Sequence, residues 1–370
     1  MRVLIGPNDR GVEMGNLSRR AFAARAAAVA AVPMVGAAIN LAPQAAAQDD
    51  ALVVTMVTDT AGLGDQNFND LANAGGEKAA EDLGVEFKVI ESTDATTYVP
   101  NLTAAAEQGQ LSIGVGFLLT DAITEVANQF PDDYFLLIDS VSEAANVESV
   151  TFREEQGAFL AGVAAGLFTK TNVVGAVGGM KIPPVVHYLV GFEAGVKSAN
   201  PDCEVQTGYA DTFDDPALGK EMTLAQYNNG ADISMPAAGR TGIGGFEAAK
   251  EKGEGFWVIA ADADQDHLGP GFQLGYVVKG VDTSVYQTIS EVAAGEFRPG
   301  AQTFGLEVSY GIDFADPYDR IPAEIMATVA KYKAAIIAGT IVVPTDEETL
   351  AAFEPVPADT LPEVEATPSM

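Results

Sequence analysis

Cysteine is almost absent from this 370-residue chain. Cys203 stands alone, which excludes an intramolecular disulfide framework and leaves stability to packing. Histidine is nearly as scarce: His187 and His267 are the only two, and neither has the sequence spacing of a metal ligand. Basic residues are few, 20 Lys and Arg against 52 Asp and Glu. The net charge of −32 makes nucleic acid and anionic membranes poor partners by simple repulsion. The acids are dispersed, as on a solubilising surface, and a saline habitat would produce the same composition. Beyond the N-terminal segment, no apolar run is long enough and free enough of polar residues to span a bilayer.

What is present begins with an export signal. Ser18-Arg19-Arg20-Ala21-Phe22 sets two arginines before an aromatic, and an Ala-rich apolar stretch follows from Ala23 to Leu41. The stretch ends in Ala45-Ala46-Ala47, a small-residue cleavage pattern, ahead of Gln48-Asp49-Asp50. This conjunction predicts a twin-arginine signal peptide over residues 1–47. Met14 is an alternative start, since Met1–Glu13 is a long lead before the arginines. No cysteine lies near the cleavage site, so no lipid anchor is expected, and the protein is read as exported, periplasmic or associated with the cell surface.

The remainder is too long for one simple core and suits two lobes of about 100–150 residues each. Short apolar, β-branched runs alternate with longer amphipathic stretches. Strands are expected at Leu52–Thr58, Phe87–Ile90, Leu111–Gly116, Tyr134–Asp139, Val173–Val177, Val205–Tyr209, Asp232–Met235, Trp257–Ala260 and Leu274–Val278, with helices between them. Apolar strands alternating with helices imply an α/β protein with parallel sheets covered on both faces. Glu148–Arg153 reads as an extended crossing segment, which favours two sheets over one. Lobe 1 is expected over 48–150 plus about 280–310, and lobe 2 over 151–279 plus about 311–343. Residues 344–370 turn to Pro, Glu, Asp, Thr and Ala and read as an acidic, Pro-rich, disordered tail.

Catalytic signatures fail one by one. Asp262-Ala263-Asp264-Gln265-Asp266 opens like a calcium loop, but His267 stands where glycine is needed and Gln273 where the bidentate acid is needed. Gly239-Arg240-Thr241-Gly242-Ile243-Gly244-Gly245 follows a strand and opens a helix, yet lacks the Lys-Ser/Thr pair of a phosphate loop. No Gly-x-Ser-x-Gly elbow occurs. What survives is a set of polar and aromatic residues at the C-terminal ends of strands, where open parallel sheets bind ligands. Asp59 ends the first strand and Asp65-Gln66-Asn67-Phe68-Asn69 follows it. Asp139, Asp262 and Lys279 end three others. Any one of these acids could be a helix cap; several at equivalent positions point to a site. Carboxylates suit a neutral, hydroxyl-rich ligand, and Phe68 among polar neighbours suits a stacking platform. The chain therefore reads as a binding protein and not an enzyme.

The run from Val57-Thr58-Asp59 through Asp65-Gln66-Asn67-Phe68-Asn69 resembles the opening of the basic membrane protein family, the substrate-binding proteins of ABC transporters that include purine nucleoside receptors. The likeness continues through Gly114–Leu118, Ile138-Asp139-Ser140, Thr151–Gly162, Val177–Met180, Val190–Val196 and Phe213-Asp214-Asp215-Pro216, covering nearly all of Val53 to Ile312. It implies a type I periplasmic-binding fold with two lobes, three crossovers and hinged closure on the ligand. It also implies that Phe68 stacks on a base, that Asp262 and Lys279 hold ribose hydroxyls, and that Asp59 and Asp139 add polar contacts on the base side. Met235-Pro236-Ala237-Ala238-Gly239 replaces a segment that carries a second aromatic in nucleoside-binding members, so Met235 is expected to cover the other ring face. Arg240 stands where a small residue is usual. The implied ligand is nucleoside-like and the implied partner is an ABC permease, with no cofactor and a monomeric state. Two other readings stay open: a sensor subunit presenting the same closed form to a membrane receptor, and a nucleoside-cleaving enzyme. The latter would need a cluster of acids at the first strand, where Thr58-Asp59-Thr60 offers one.

Overall fold

β-branched runs that fit a pleated, buried surface form the strands, and the stretches with helical spacing form the helices between them. The structure, a computed structural model, describes residues 51–363. The first half runs β1 (Val53–Val57), α1 (Phe68–Leu83), β2 (Glu86–Ile90), α2 (Tyr98–Gln108), β3 (Leu111–Val115), α3 (Thr120–Gln129), β4 (Tyr134–Ile138) and β5 (Val147–Phe152). The second repeats this plan with α4 (Glu154–Phe168), β6 (Val173–Gly178), α5 (Pro183–Ala199), β7 (Glu204–Tyr209), α6 (Pro216–Asn228), β8 (Ile233–Ala237), α7 (Ile243–Lys252), β9 (Trp257–Ala260) and β10 (Gln273–Lys279). α8 (Val281–Ala294), β11 (Gly300–Phe304), β12 (Ile312–Ala315), α9 (Ala323–Ile337) and α10 (Glu347–Ala351) follow.

The strands form two six-stranded sheets, ordered β11-β5-β4-β3-β1-β2 and β12-β10-β9-β8-β6-β7. Strand order reverses at β1/β3 in one and at β6/β8 in the other, so each sheet has a switch point where its strand ends open a crevice. In the first sheet, α1 and α8 pack over one face around Met56, Ile113 and Val285, while α2 and α3 cover the other around Leu102, Ile123 and Phe135. The chain crosses between sheets three times, at β5–α4, β10–α8 and β11–β12. This is the type I periplasmic-binding arrangement.

One strand departs from the all-parallel expectation: β12 pairs antiparallel with β10, Ile312 opposite Lys279. Residues 305–311 carry the chain from β11 in the first sheet directly to β12 at the edge of the second.

Two local devices aim the site. Asn67 caps α1 by accepting from the Phe68 amide, and Asp65 accepts from the amides of Asn67, Asn69 and Asp70 at 3.1, 2.8 and 3.2 Å. Together they fix the first turn of α1, and with it Phe68. α4 and α5 lie almost backbone to backbone. A β-carbon on Gly162 would fall 2.1 Å from the Phe192 carbonyl oxygen, and one on Gly195 would fall 2.0 Å from that of Phe159. Glycine alone permits this approach, which sets Glu154 and Glu155 of α4 beside His187 and Tyr188 of α5.

The expected disordered tail differs from the structure between residues 344 and 363. Asp346 caps α10 in a reciprocal capping box. Phe353 meets Phe159 edge-on at 6.2 Å, the Tyr332 hydroxyl donates to the Val356 carbonyl at 2.6 Å, and Leu361 is buried in the core of the second half. These anchors have no helical or strand period, so the composition hides them. The predicted signal peptide over 1–47 lies outside the described residues. None of the helices among the described residues is long and apolar enough to cross a membrane.

Candidate ligand-binding site

The ends of β1, β3 and β4 face those of β8, β9 and β10 across a crevice with about 570 Å³ of space free of protein atoms, its open mouth included. Asp59, Phe68, Asp139, Gly239, Asp262 and Lys279 all line it. The sequence placed these six at strand ends or the loops that follow, and the fold brings them together.

At the floor sits Lys279, fully buried. Its ammonium donates to Asp139 Oδ2 at 2.6 Å and pairs with Glu154 Oε1 at 3.0 Å. It also lies 4.9 Å from the centroid of the Phe68 ring, a cation–π distance. Burial works against the charge, but Asp139, Glu154 and Asp262 outweigh it and push the Lys279 pKa up. The lysine is therefore a fixed cation at any physiological pH. Asp262 accepts the Tyr188 hydroxyl at 2.6 Å; burial raises its pKa, with Lys279 opposing. Burial also lifts Asp139 to about 7, against the pull of Lys279 and helped by the nearby Glu154 charge.

The other end is built on Asp59. Its Oδ1 accepts from Asn69 Nδ2 and from the Ala61 amide, each at 2.9 Å, and burial raises its pKa. The same Asn69 amide group donates to Asp65 at 3.0 Å, so Asn69 Oδ1 is turned away from both carboxylates. Asn69 Oδ1 and Asp139 Oδ1 are buried without a hydrogen-bond partner. Two orphaned acceptors on residues lining one cavity call for a ligand that donates at both ends. Three carboxylates surround one ammonium, so the charge favours a neutral ligand over an anion.

Two expectations are corrected. Met235 does not line the cavity: it is mid-strand in β8, fully buried in the core of the second half. It shares a pleat face with Ala237 but lies two residues further back from the strand end, and only Ala237 and Ala238 reach the opening. Asn67 likewise stays out of the cavity, its side chain engaged in capping α1. Beside Phe68, the crevice is lined by Phe117, Tyr188 and Phe213, and Phe213 lies in the loop before α6. Its sequence signal was its place between a strand and the Asp215-Pro216 helix start. Tyr188 and Glu154 were also missed, since each looks like an ordinary residue of a buried helix until the helices are packed.

The crevice is closed over. Arg240 Nη2 donates to the Leu63 carbonyl at 2.7 Å while Nη1 pairs with Asp214 at 3.1 Å. His267 Nε2 lies 2.8 Å from Gln66 Oε1. Both contacts join the second half to the loop that follows β1. Behind the cavity, Glu154, Glu155 and His187 bring three ligand-type atoms within 4.8 Å of one another. Glu154 is already paired with Lys279 and His187, so this grouping is a chain of ion pairs and not a metal centre.

Residues 52–347 match the family described as ABC transporter substrate-binding protein PnrA-like. The chain is 35% identical over 316 residues to the ABC transporter nucleoside-binding protein BmpA of Lactococcus lactis, covering 80% of this chain and 89% of that one. It is 35% identical over 317 residues to a CD4+ T-cell-stimulating antigen of Listeria monocytogenes, covering 79% and 87%. Among solved structures, an ABC transporter solute-binding protein of Aeropyrum pernix superposes with a TM-score of 0.74 at 29% identity, covering 81% of this chain and 96% of that one.

Proposed function

Because the chain belongs to the PnrA-like family of ABC transporter substrate-binding proteins, a family of extracytoplasmic, non-enzymatic solute receptors, we propose that its ligand is a purine nucleoside. The observation that carries this reading is the pairing of an aromatic face with hydroxyl-binding groups. Phe68 and Phe213 line the crevice from opposite halves, while Asp139, Asp262 and Lys279 gather beside them. A base between the rings would gain stacking energy, about 1–3 kcal/mol for each base–aromatic contact. The ribose would supply hydroxyl donors to Asp139 and Asp262 and accept from Lys279. At the other end, Asn69 Oδ1 and Asp59 would accept from a ring or exocyclic N–H of the base. Closure over the nucleoside would present the closed surface to a permease.

Thermal unfolding of residues 48–370 against a panel of inosine, adenosine, guanosine, uridine, free bases, ribose and amino acids tests the reading. A ligand that binds only the folded state raises the midpoint. A rise with purine nucleosides and none with ribose or amino acids supports it. A rise with another class alone overturns the ligand, while the family assignment stands.

A further inference from the structure

Asp139 is shared by two spaces: the ligand crevice, and an outer groove lined also by Glu154, Glu155, Pro183 and His187. The wall between them is a chain of charged contacts. His187 Nδ1 lies 3.0 Å from Glu154 Oε2, Glu154 Oε1 lies 3.0 Å from Lys279 Nζ, and Lys279 Nζ lies 2.6 Å from Asp139 Oδ2. Glu154 and Lys279 are buried, whereas the His187 side chain retains 27% of its exposure in the groove. Neither Glu154 nor His187 lines the ligand crevice.

We propose that Glu154 and His187 are positioning residues for ligand binding, holding Lys279 in register from the groove side and making affinity depend on the protonation of His187. The inference rests on the crevice being the ligand site. An ammonium has three donors. One donates to Asp139 Oδ2, Glu154 holds the ammonium by charge at 3.0 Å, and donor capacity remains for the ligand. With Glu154 in place, Lys279 engages only Oδ2 of Asp139 and leaves Oδ1 open. Withdraw Glu154, and the lysine is free to swing onto Oδ1, closing the acceptor that a ligand hydroxyl needs.

His187 controls that withdrawal. An imidazolium competes with Lys279 for the Glu154 carboxylate and draws it toward the groove. Burial opposes protonation of His187, yet the hydrogen bond and charge of Glu154, with the charge of Glu155, raise its pKa above the ordinary histidine value. The charged groups that face or influence it are Glu154 and Glu155 from α4, Lys279 from β10, and Asp346 at the start of α10.

The test is inosine and adenosine affinity by titration calorimetry from pH 5.5 to 8.5 for the wild type, His187→Gln and Glu154→Gln. The wild type should weaken as pH falls. His187→Gln keeps a donor to Glu154 without a titrating ring, and should lose that part of the pH step. Any step it retains belongs to Asp139, whose pKa lies at about 7. Glu154→Gln should weaken binding by about tenfold or more at pH 8, the scale of one charge-assisted hydrogen bond. Should Glu154→Gln fail to fold, His187→Gln decides alone, since its position is partly exposed. An unchanged pH step in His187→Gln, or a folded Glu154→Gln with wild-type affinity, overturns the proposal. A wild type that binds neither nucleoside overturns the ligand reading, and this inference with it.

Discussion

Asp139 and Asp262 occupy matching places in the two halves of the molecule: each follows the fourth strand of its half, and each holds a left-handed backbone, at φ +67° and +66°. Asp139 takes the hydrogen bond from Lys279, and Asp262 lies within the field of the same ammonium. The left-handed region is costly for residues with a β-carbon, though Asp tolerates it better than most. The surroundings lock it in. The Asp139 amide donates to the Val150 carbonyl at 2.8 Å, and the Lys279 amide donates to the Asp262 carbonyl at 3.1 Å. The turn swings each carboxylate off its sheet and into the crevice.

That geometry separates strain from binding. Asp262→Ala should lower the melting temperature, because Ala is strained at positive φ and the buried Tyr188 hydroxyl loses its acceptor. Asp262→Gly should recover part of the loss by removing the strain. Both should weaken nucleoside binding by about tenfold or more, the scale of a hydrogen bond to a charged group. Calorimetric titration of both variants checks this, and a Gly variant binding as tightly as the wild type would show that Asp262 does not hold the ligand.

Phe68 is half-buried, so its removal should spare the fold. Phe68→Ala should cost about 1–3 kcal/mol of nucleoside affinity through lost stacking with little change in the apo melting temperature. Equal losses of stability and affinity would instead make it a core residue.

The excess of carboxylate around Lys279 should reject phosphorylated ligands. Adenosine monophosphate should bind far more weakly than adenosine, at least about a hundredfold, since its dianion meets Asp59, Asp139 and Asp262 in a low-dielectric crevice. Competition between the two for one site gives the ratio directly.

Arg240 and His267 reach across the closed crevice. Arg240→Ala should speed ligand release more than it slows capture, since the guanidinium ties the second half to the Leu63 carbonyl across the crevice. Stopped-flow rates resolve the two effects. A change confined to the association rate would assign Arg240 to steering.

Glu148 of β5 offers a pH test away from the crevice. Burial raises its pKa to about 7 from an ordinary 4.5, and its Oε2 has no partner. The folded state then takes up the proton at higher pH than the unfolded state does. Its contribution is therefore most favourable below about pH 4.5 and is lost as pH rises to 7. Glu148→Gln, neutral throughout, should melt higher than the wild type at pH 8 by about 1–2 °C, as expected for about 1 kcal/mol in a chain of this size, and should show no gain at pH 5. Melting curves at the two pH values decide it.

The amino-acid sequence by itself determined the alternation of strands and helices, because buried parallel strands must be apolar runs and their crossover helices must be amphipathic. It also determined which residues stand at strand ends, and so placed Asp59, Asp139, Asp262 and Lys279 correctly. Only the tertiary structure decided what those residues touch. Met235 shares a pleat face with the cavity-lining Ala237 but sits two residues further back along β8, and only the packed fold shows that the crevice stops at the strand end. Phe213, Tyr188 and Glu154 come from a loop and two helices distant in the chain, joined to the site by the close packing of α4 on α5. Residues 344–363 turned on the same distinction: isolated anchors such as Phe353 and Leu361 leave no period to read, and their burial exists only against the folded surface they cover.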